Sequence, residues 1–188
     1  MIKKMKKIIL TLAVALLATF SSFAQKSNDG WFLSVGAGAS ASLEGYSSGS
    51  FEYGVTPAFS ANFGKWIGKS VAVKVGYDGL SLKNDKYFAD GVDYGYANAA
   101  IMWNVCNAFG NYKENRCFNI VPYIHGGAIL SNNTAYAAGL GIQFPIRFGF
   151  VSIVPDIKAS AAQDKFYSDI NTGWNGIVSA SLGLQLNF

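Results

Sequence analysis

One histidine, His125, and two cysteines, Cys106 and Cys117, are all that 188 residues offer of the side chains that most readily bind metals or move protons. No loop carries a histidine, and no loop Ser or Cys stands as an obvious partner for His125. A triad-like nucleophile is therefore not expected, nor any other enzyme site. The chain also lacks a phosphate-cradling glycine loop and any cluster of metal-ligand residues, so neither a cofactor nor a metal is expected. Only four prolines accompany 21 glycines, which favours many strands with tight or crowded backbone.

Long apolar runs are missing too, except at the very start. Lys3, Lys4, Lys6 and Lys7 precede the apolar stretch from Ile8 to Phe20, and Ser22-Phe23-Ala24 follows. This is the layout of a secretory signal peptide over residues 1–24, cleaved before Gln25. Thirteen apolar residues are too few to cross a bilayer as a helix. No cysteine stands directly after the cleavage site, so a lipoprotein is not expected. Four of the 15 basic residues leave with the leader, and the remaining 11 balance 11 acidic ones. The mature chain is formally neutral, which gives no footing for nucleic-acid binding.

What is present in the mature chain, 25–188, is alternation. Eight segments show a period of two: 31–41, 53–64, 70–82, 94–105, 117–130, 135–144, 150–160 and 174–188. In the first, Trp31, Leu33, Val35, Ala37 and Ala39 oppose Ser34, Gly36, Gly38 and Ser40. In the sixth, Tyr136, Ala138, Leu140 and Ile142 oppose Gly139, Gly141 and Gln143. Faces of Gly, Ser, Asn and Gln cannot build an ordinary soluble core, and faces of Val, Leu and Phe cannot meet water. The inverted arrangement, apolar outside and polar inside, predicts an all-β, eight-stranded, antiparallel up-and-down transmembrane barrel in one domain. Pro57, Pro122 and Pro155 fall inside these strands, in the outward phase, and suggest bulges or late strand starts. Both termini and short turns are expected on the periplasmic side. Trp31, Phe63, Trp66, Trp103, Phe118, Phe144 and Phe188 then lie near that rim, and Tyr53, Tyr77, Tyr94, Tyr136 and Trp174 near the outer one.

The final strand adds a motif. Ser181, Gly183, Leu186 and the terminal Phe188 resemble the closing-strand pattern that the outer-membrane assembly machinery reads in its substrates. With the eight segments, the mature chain is similar to the small eight-stranded outer-membrane proteins, the group of the OmpA transmembrane domain and OmpX. The resemblance implies a Gram-negative outer membrane reached by Sec export, with membrane lipid, periplasmic chaperones and the assembly machinery as partners. The chain stops at Phe188, so the peptidoglycan-binding domain found in OmpA is not expected.

The candidate functional residues are few. Lys74 lies between Val73 and Val75, and Asp156 between Pro155 and Ile157. Charges placed so in a lipid-facing strand must turn inward. Lys74, Asp78, Asp156 and Lys158, with His125, are expected to form a polar network that fills or gates the lumen. Cys106 and Cys117 flank a ten-residue loop and, in an oxidising compartment, are expected to pair as a disulfide. Two loops share a pattern: Lys86, Tyr87, Phe88 and Asp90 in one, Lys165, Phe166, Tyr167 and Asp169 in the other. They suggest aromatic-acidic patches at the outer mouth, with an unknown extracellular ligand. The expected role is structural or binding, through these loops. The alternatives are a narrow porin-like channel for ions or small solutes, and a soluble secreted barrel, which would need a polar exterior.

Overall fold

The computed structural model describes residues 30–42, 55–84, 88–110, 116–131, 133–163 and 173–188. The leader assigned to residues 1–24 lies outside them. So do Tyr53 and the loop residues Lys86, Tyr87, Lys165, Phe166, Tyr167 and Asp169. Phe88 and Asp90 belong to strand backbone.

Among the described residues nine strands follow one another: β1 (Trp31–Ser42), β2 (Thr56–Trp66), β3 (Val71–Asn84), β4 (Phe88–Trp103), β5 (Val121–Leu130), β6 (Ala135–Gln143), β7 (Ile146–Phe148), β8 (Val151–Gln163) and β9 (Trp174–Asn187). Every pairing is antiparallel, β9 returns to β1, and β6 pairs with β8 to close the ring. Strands β6 and β7 lie against consecutive stretches of the same partner, β8. They are one barrel strand interrupted at Phe144 and Pro145, so the barrel has eight staves. Proline supplies no N–H to continue the ladder, which is why the break falls there. The fifth stave breaks in the same way. Phe118 bridges Ile146 and Asn119 N donates to Pro145 O at 3.0 Å, before β5 resumes at Val121.

Trp31 and Phe188 close the seam by donating to one another's carbonyls at 2.9 and 3.0 Å. A closed ring matters because lipid cannot satisfy the unpaired N–H and C=O groups of a sheet edge. Alternation sets what faces lipid. Val35, Phe59, Val75, Leu140, Leu182 and Leu184 are 54–63% exposed, whereas Lys74 is 5% and Asp78 3% exposed. That contrast removes the soluble-barrel alternative, whose outer surface would be polar. Arginine at Leu182, near the middle of β9, is expected to destabilise the refolded barrel by about 2–4 kcal/mol in a urea titration in lipid vesicles.

The interior departs from a uniformly polar lumen. At the end that carries Trp31 and Phe188, Phe32, Ala72, Met102, Val121 and Tyr123 form an apolar floor, with Trp66 packed on it. At the opposite end Ala58, Tyr94, Tyr96, Ile129, Ala137 and Ile177 form a second apolar layer. Trp66 and Tyr94 therefore do not join the aromatic girdles. Their strand phase turns them inward, Trp66 to within 6.4 Å of the Phe32 ring centroid and Tyr94 to 4% exposure. Other girdle members stay outside: Trp31 stacks on Phe63 at 5.0 Å, and Phe118 on Phe144 at 6.4 Å.

Not every turn at this rim is short. The connection after β4 carries a helix, α1 (Val105–Phe109), capped by Asn104, whose side chain accepts from Asn107 N at 3.1 Å. Phe109 meets Trp103 edge-on at 5.4 Å and is 79% exposed.

Candidate functional site

Between the two apolar layers lies a band of charged and polar side chains. Each is delivered by the inward phase of its strand. Lys74 and Asp78 come from β3, Asn98 and Tyr96 from β4, Tyr123 and His125 from β5, Gln143 from β6, and Asp156 and Lys158 from β8.

The five residues expected to form one network fall into two linked groups. Lys158 Nζ meets Asp78 Oδ2 at 2.5 Å across the lumen, and Asn98 Nδ2 donates to the same oxygen at 2.9 Å. In the second group Tyr123 donates its hydroxyl to Asp156 Oδ1 at 2.7 Å, and Gln143 Nε2 donates to Oδ2 at 2.9 Å. Among the described residues Lys74 makes no ion pair within bonding distance. Its Nζ sits 4.1 Å from the centroid of the Tyr123 ring, a cation–π contact in a desolvated place. His125 Nδ1 and Tyr96 OH lie 2.9 Å apart, and the Tyr96 hydroxyl donates at 3.2 Å to Ala137 O. Tyr96 and Tyr123 both lie against the His125 ring, with centroids 5.8 Å away. The aromatics thus connect the two groups.

Two lysines face two aspartates, so the band carries no net formal charge. Balance is essential here, because an unpaired buried charge is costly while a paired, hydrogen-bonded one is tolerated. Little empty space remains among them. The cavity lined by Asn62, Lys74, Asp78, Asp156, Lys158 and Ser181 measures ≈ 20 Å³, enough for about one water molecule. Among the described residues no cluster of His, Cys, Asp and Glu could hold a metal.

Tyr96, Asn98 and Gln143 were not among the expected network residues. The phase that turns Met102 and Ala100 inward also turns Asn98 and Tyr96 inward, so the signal was available in β4. Gln143 likewise shares its phase with Gly139 and Gly141.

Cys106 and Cys117 are not joined to one another in the structure. Each is tied to a different element. Cys106 O accepts from Gly110 N at the end of α1, and Cys117 O accepts from Arg147 N at 2.6 Å beside β7. The closing-strand residues Ser181, Gly183 and Leu186 are all in β9, with Phe188 directly after it. Gly183 stands opposite Gly36, and Ser181 opposite Gly38, so small residues line the inner wall where β9 meets β1.

No protein-family model matches the chain. It is 28% identical over 149 residues to outer membrane protein 40 of Porphyromonas gingivalis, a match that covers 64% of this chain and 37% of that protein. Among solved structures it resembles Neisserial surface protein A, with a TM-score of 0.56 and 11% identity over 85% of this chain and 97% of that one. Ail, the attachment invasion locus protein of Yersinia pestis, aligns with a TM-score of 0.46 and 13% identity over 85% and 99% of the respective chains.

Proposed function

Since the chain is a small eight-stranded β-barrel of the Gram-negative outer membrane, we propose that it works as a plugged barrel. Its structural or binding role would be exerted from the outer loops and not through the lumen. One observation carries this reading: the lumen holds a charge-balanced polar band between two apolar layers, with a cavity of ≈ 20 Å³ among the side chains of the band. A hydrated ion needs a continuous wet path, and Phe32, Met102 and Tyr123 stand across it at the floor. A catalytic role is not part of the proposal, because His125 is buried in that band and bonded to Tyr96. On this reading Ser181, Gly183, Leu186 and Phe188 act during assembly and carry no later activity. The two similar segments, 86–90 at the start of β4 and 165–169, would present the binding surface.

A narrow channel is the second reading. It is favoured by the wall of small residues, Gly36, Gly38, Ser181 and Gly183, which leaves that side of the lumen the least obstructed. Planar-bilayer conductance of the refolded mature chain separates the two. The plugged reading expects an electrically silent barrel whose folding is verified by heat-dependent gel mobility. It also expects silence to persist when Asp78 and Lys158 are both replaced by Ala, because the floor of Phe32, Met102 and Tyr123 still stands across the path. Discrete, salt-scaling openings from the unaltered protein would establish the channel instead.

A further inference from the structure

The lipid-facing surface is not evenly covered. On the wall formed by β2 to β5, toward the periplasmic rim, it opens into an apolar hollow of ≈ 650 Å³. Trp31 and Phe63 stand at one end, Val75, Ile101 and Ile124 along it, and Ala99 and Gly126 at its base. The base is low because Ala99 and Gly126 are direct cross-strand partners, and neither projects beyond a methyl group.

The backbone does not require glycine at position 126. A Cβ at Gly127 would collide with the Ala97 carbonyl, and one at Gly139 with the Ala159 carbonyl. At Gly126 the nearest atoms would be 3.8 Å away, an ordinary contact. A strand-interior glycine weakens the strand, and where no bulge or bend calls for one it often marks a site that a ligand or another backbone approaches closely.

Lys65 lines the same hollow. It shares the outward phase of Phe63, and its Nζ lies 4.5 Å from the Trp31 ring centroid. Among the described residues the ion pair is Lys158–Asp78, and Lys65 meets no carboxylate. A cation held at the interface beside an apolar trough complements an amphiphile with phosphate at the surface and an acyl chain beneath it.

We infer that this wall is a binding seat for one glycerophospholipid of the periplasmic leaflet. Lys65 receives its phosphate, and an acyl chain lies across Ala99 and Gly126. The Trp31 face holds the lysine at headgroup level, and Phe63 and Val75 flank the chain. Lipid at this seat is distinguished from the surrounding annulus by shape as well as by charge.

Native mass spectrometry of the refolded barrel, mixed in micelles with phosphatidylglycerol, tests the assignment. One lipid per barrel should survive activation that strips the rest, and diacylglycerol, which lacks the phosphate, should be retained several-fold less. Gly126→Leu fills the trough without touching the backbone and should lower retention at least tenfold. Lys65→Gln should lower it several-fold. Ala180→Leu, on the exposed lipid side of β9, should leave it unchanged. Equal retention in the Gly126 and Ala180 variants, or equal retention of diacylglycerol, would overturn the seat. A mass of two barrels in place of the lipid adduct would assign the hollow to a second copy of the chain. Should Gly126→Leu fail to show the heat-dependent gel shift of a folded barrel, the Lys65→Gln and diacylglycerol comparisons decide alone.

Discussion

Replacing Lys158 by Met is expected to cost the refolded barrel about 3–5 kcal/mol, because it breaks a buried pair and leaves one charge behind. The charge left behind is Asp78, 3% exposed, whose bonded oxygen would keep only the Asn98 amide at 2.9 Å. Met preserves most of the lysine stem, so the loss isolates the ammonium group and not the packing. The double variant Asp78→Leu/Lys158→Met should recover most of the stability, since a buried pair is often replaced by apolar side chains at little cost. Urea titration in lipid vesicles, followed by tryptophan fluorescence, reads both variants. A single variant within about 1 kcal/mol of the parent would mean that Asp78 is hydrated in the folded barrel, since exposed pairs have that modest value. The premise of a dry, charge-balanced band would then fail.

The orientation of side chains was legible before any coordinates, and the reason is geometric. A period of two persists across an error of several residues in a strand boundary, provided the error leaves the phase intact. Strand β4 begins at Phe88 instead of near residue 94, yet Asn98 reaches Asp78 and Met102 is buried, both inward as expected. Pairing across the lumen was less legible. Lys158 and Asp78 are 80 residues apart and meet because the strands tilt around the axis, a stagger that no single strand encodes. Thus the expected set of charged residues is brought into one band, while the particular partners emerge only from the closed ring. Trp66 and Tyr94 show a different failure. Placing aromatics by height alone sends both to the girdles, but an aromatic at a rim can equally cap the lumen. Phase decides between the two, and in both cases it points inward. The apolar floor was hidden for a related reason: its members, Phe32, Ala72, Met102 and Val121, come from four different strands.

Valine at Gly141 is expected to destabilise the barrel by about 2.5–6 kcal/mol, combining about 1–3 for overpacking with about 1.5–3 for a lost charged hydrogen bond. A Cβ built at Gly141 would overlap the ring of Tyr123, its cross-strand partner. The ring has little room to retreat, since Lys74 Nζ rests 4.1 Å from its centroid on one side and His125 packs against it at 5.8 Å. Displacing it would also pull the Tyr123 hydroxyl from Asp156, where it now donates at 2.7 Å. Asp156 would keep Gln143 alone, and Lys74 would lose the aromatic face that partners it. The effect should therefore exceed that of Tyr123→Phe, which removes only the hydroxyl and leaves the ring under Lys74. If the Gly141 and Tyr123 effects arise through the same contact, Gly141→Val should cost much less in a Tyr123→Ala background, where the ring is already gone. Additive costs in that double-mutant cycle would instead place the strain in the β6 backbone, and the aromatic links of the polar band would lose their assigned role.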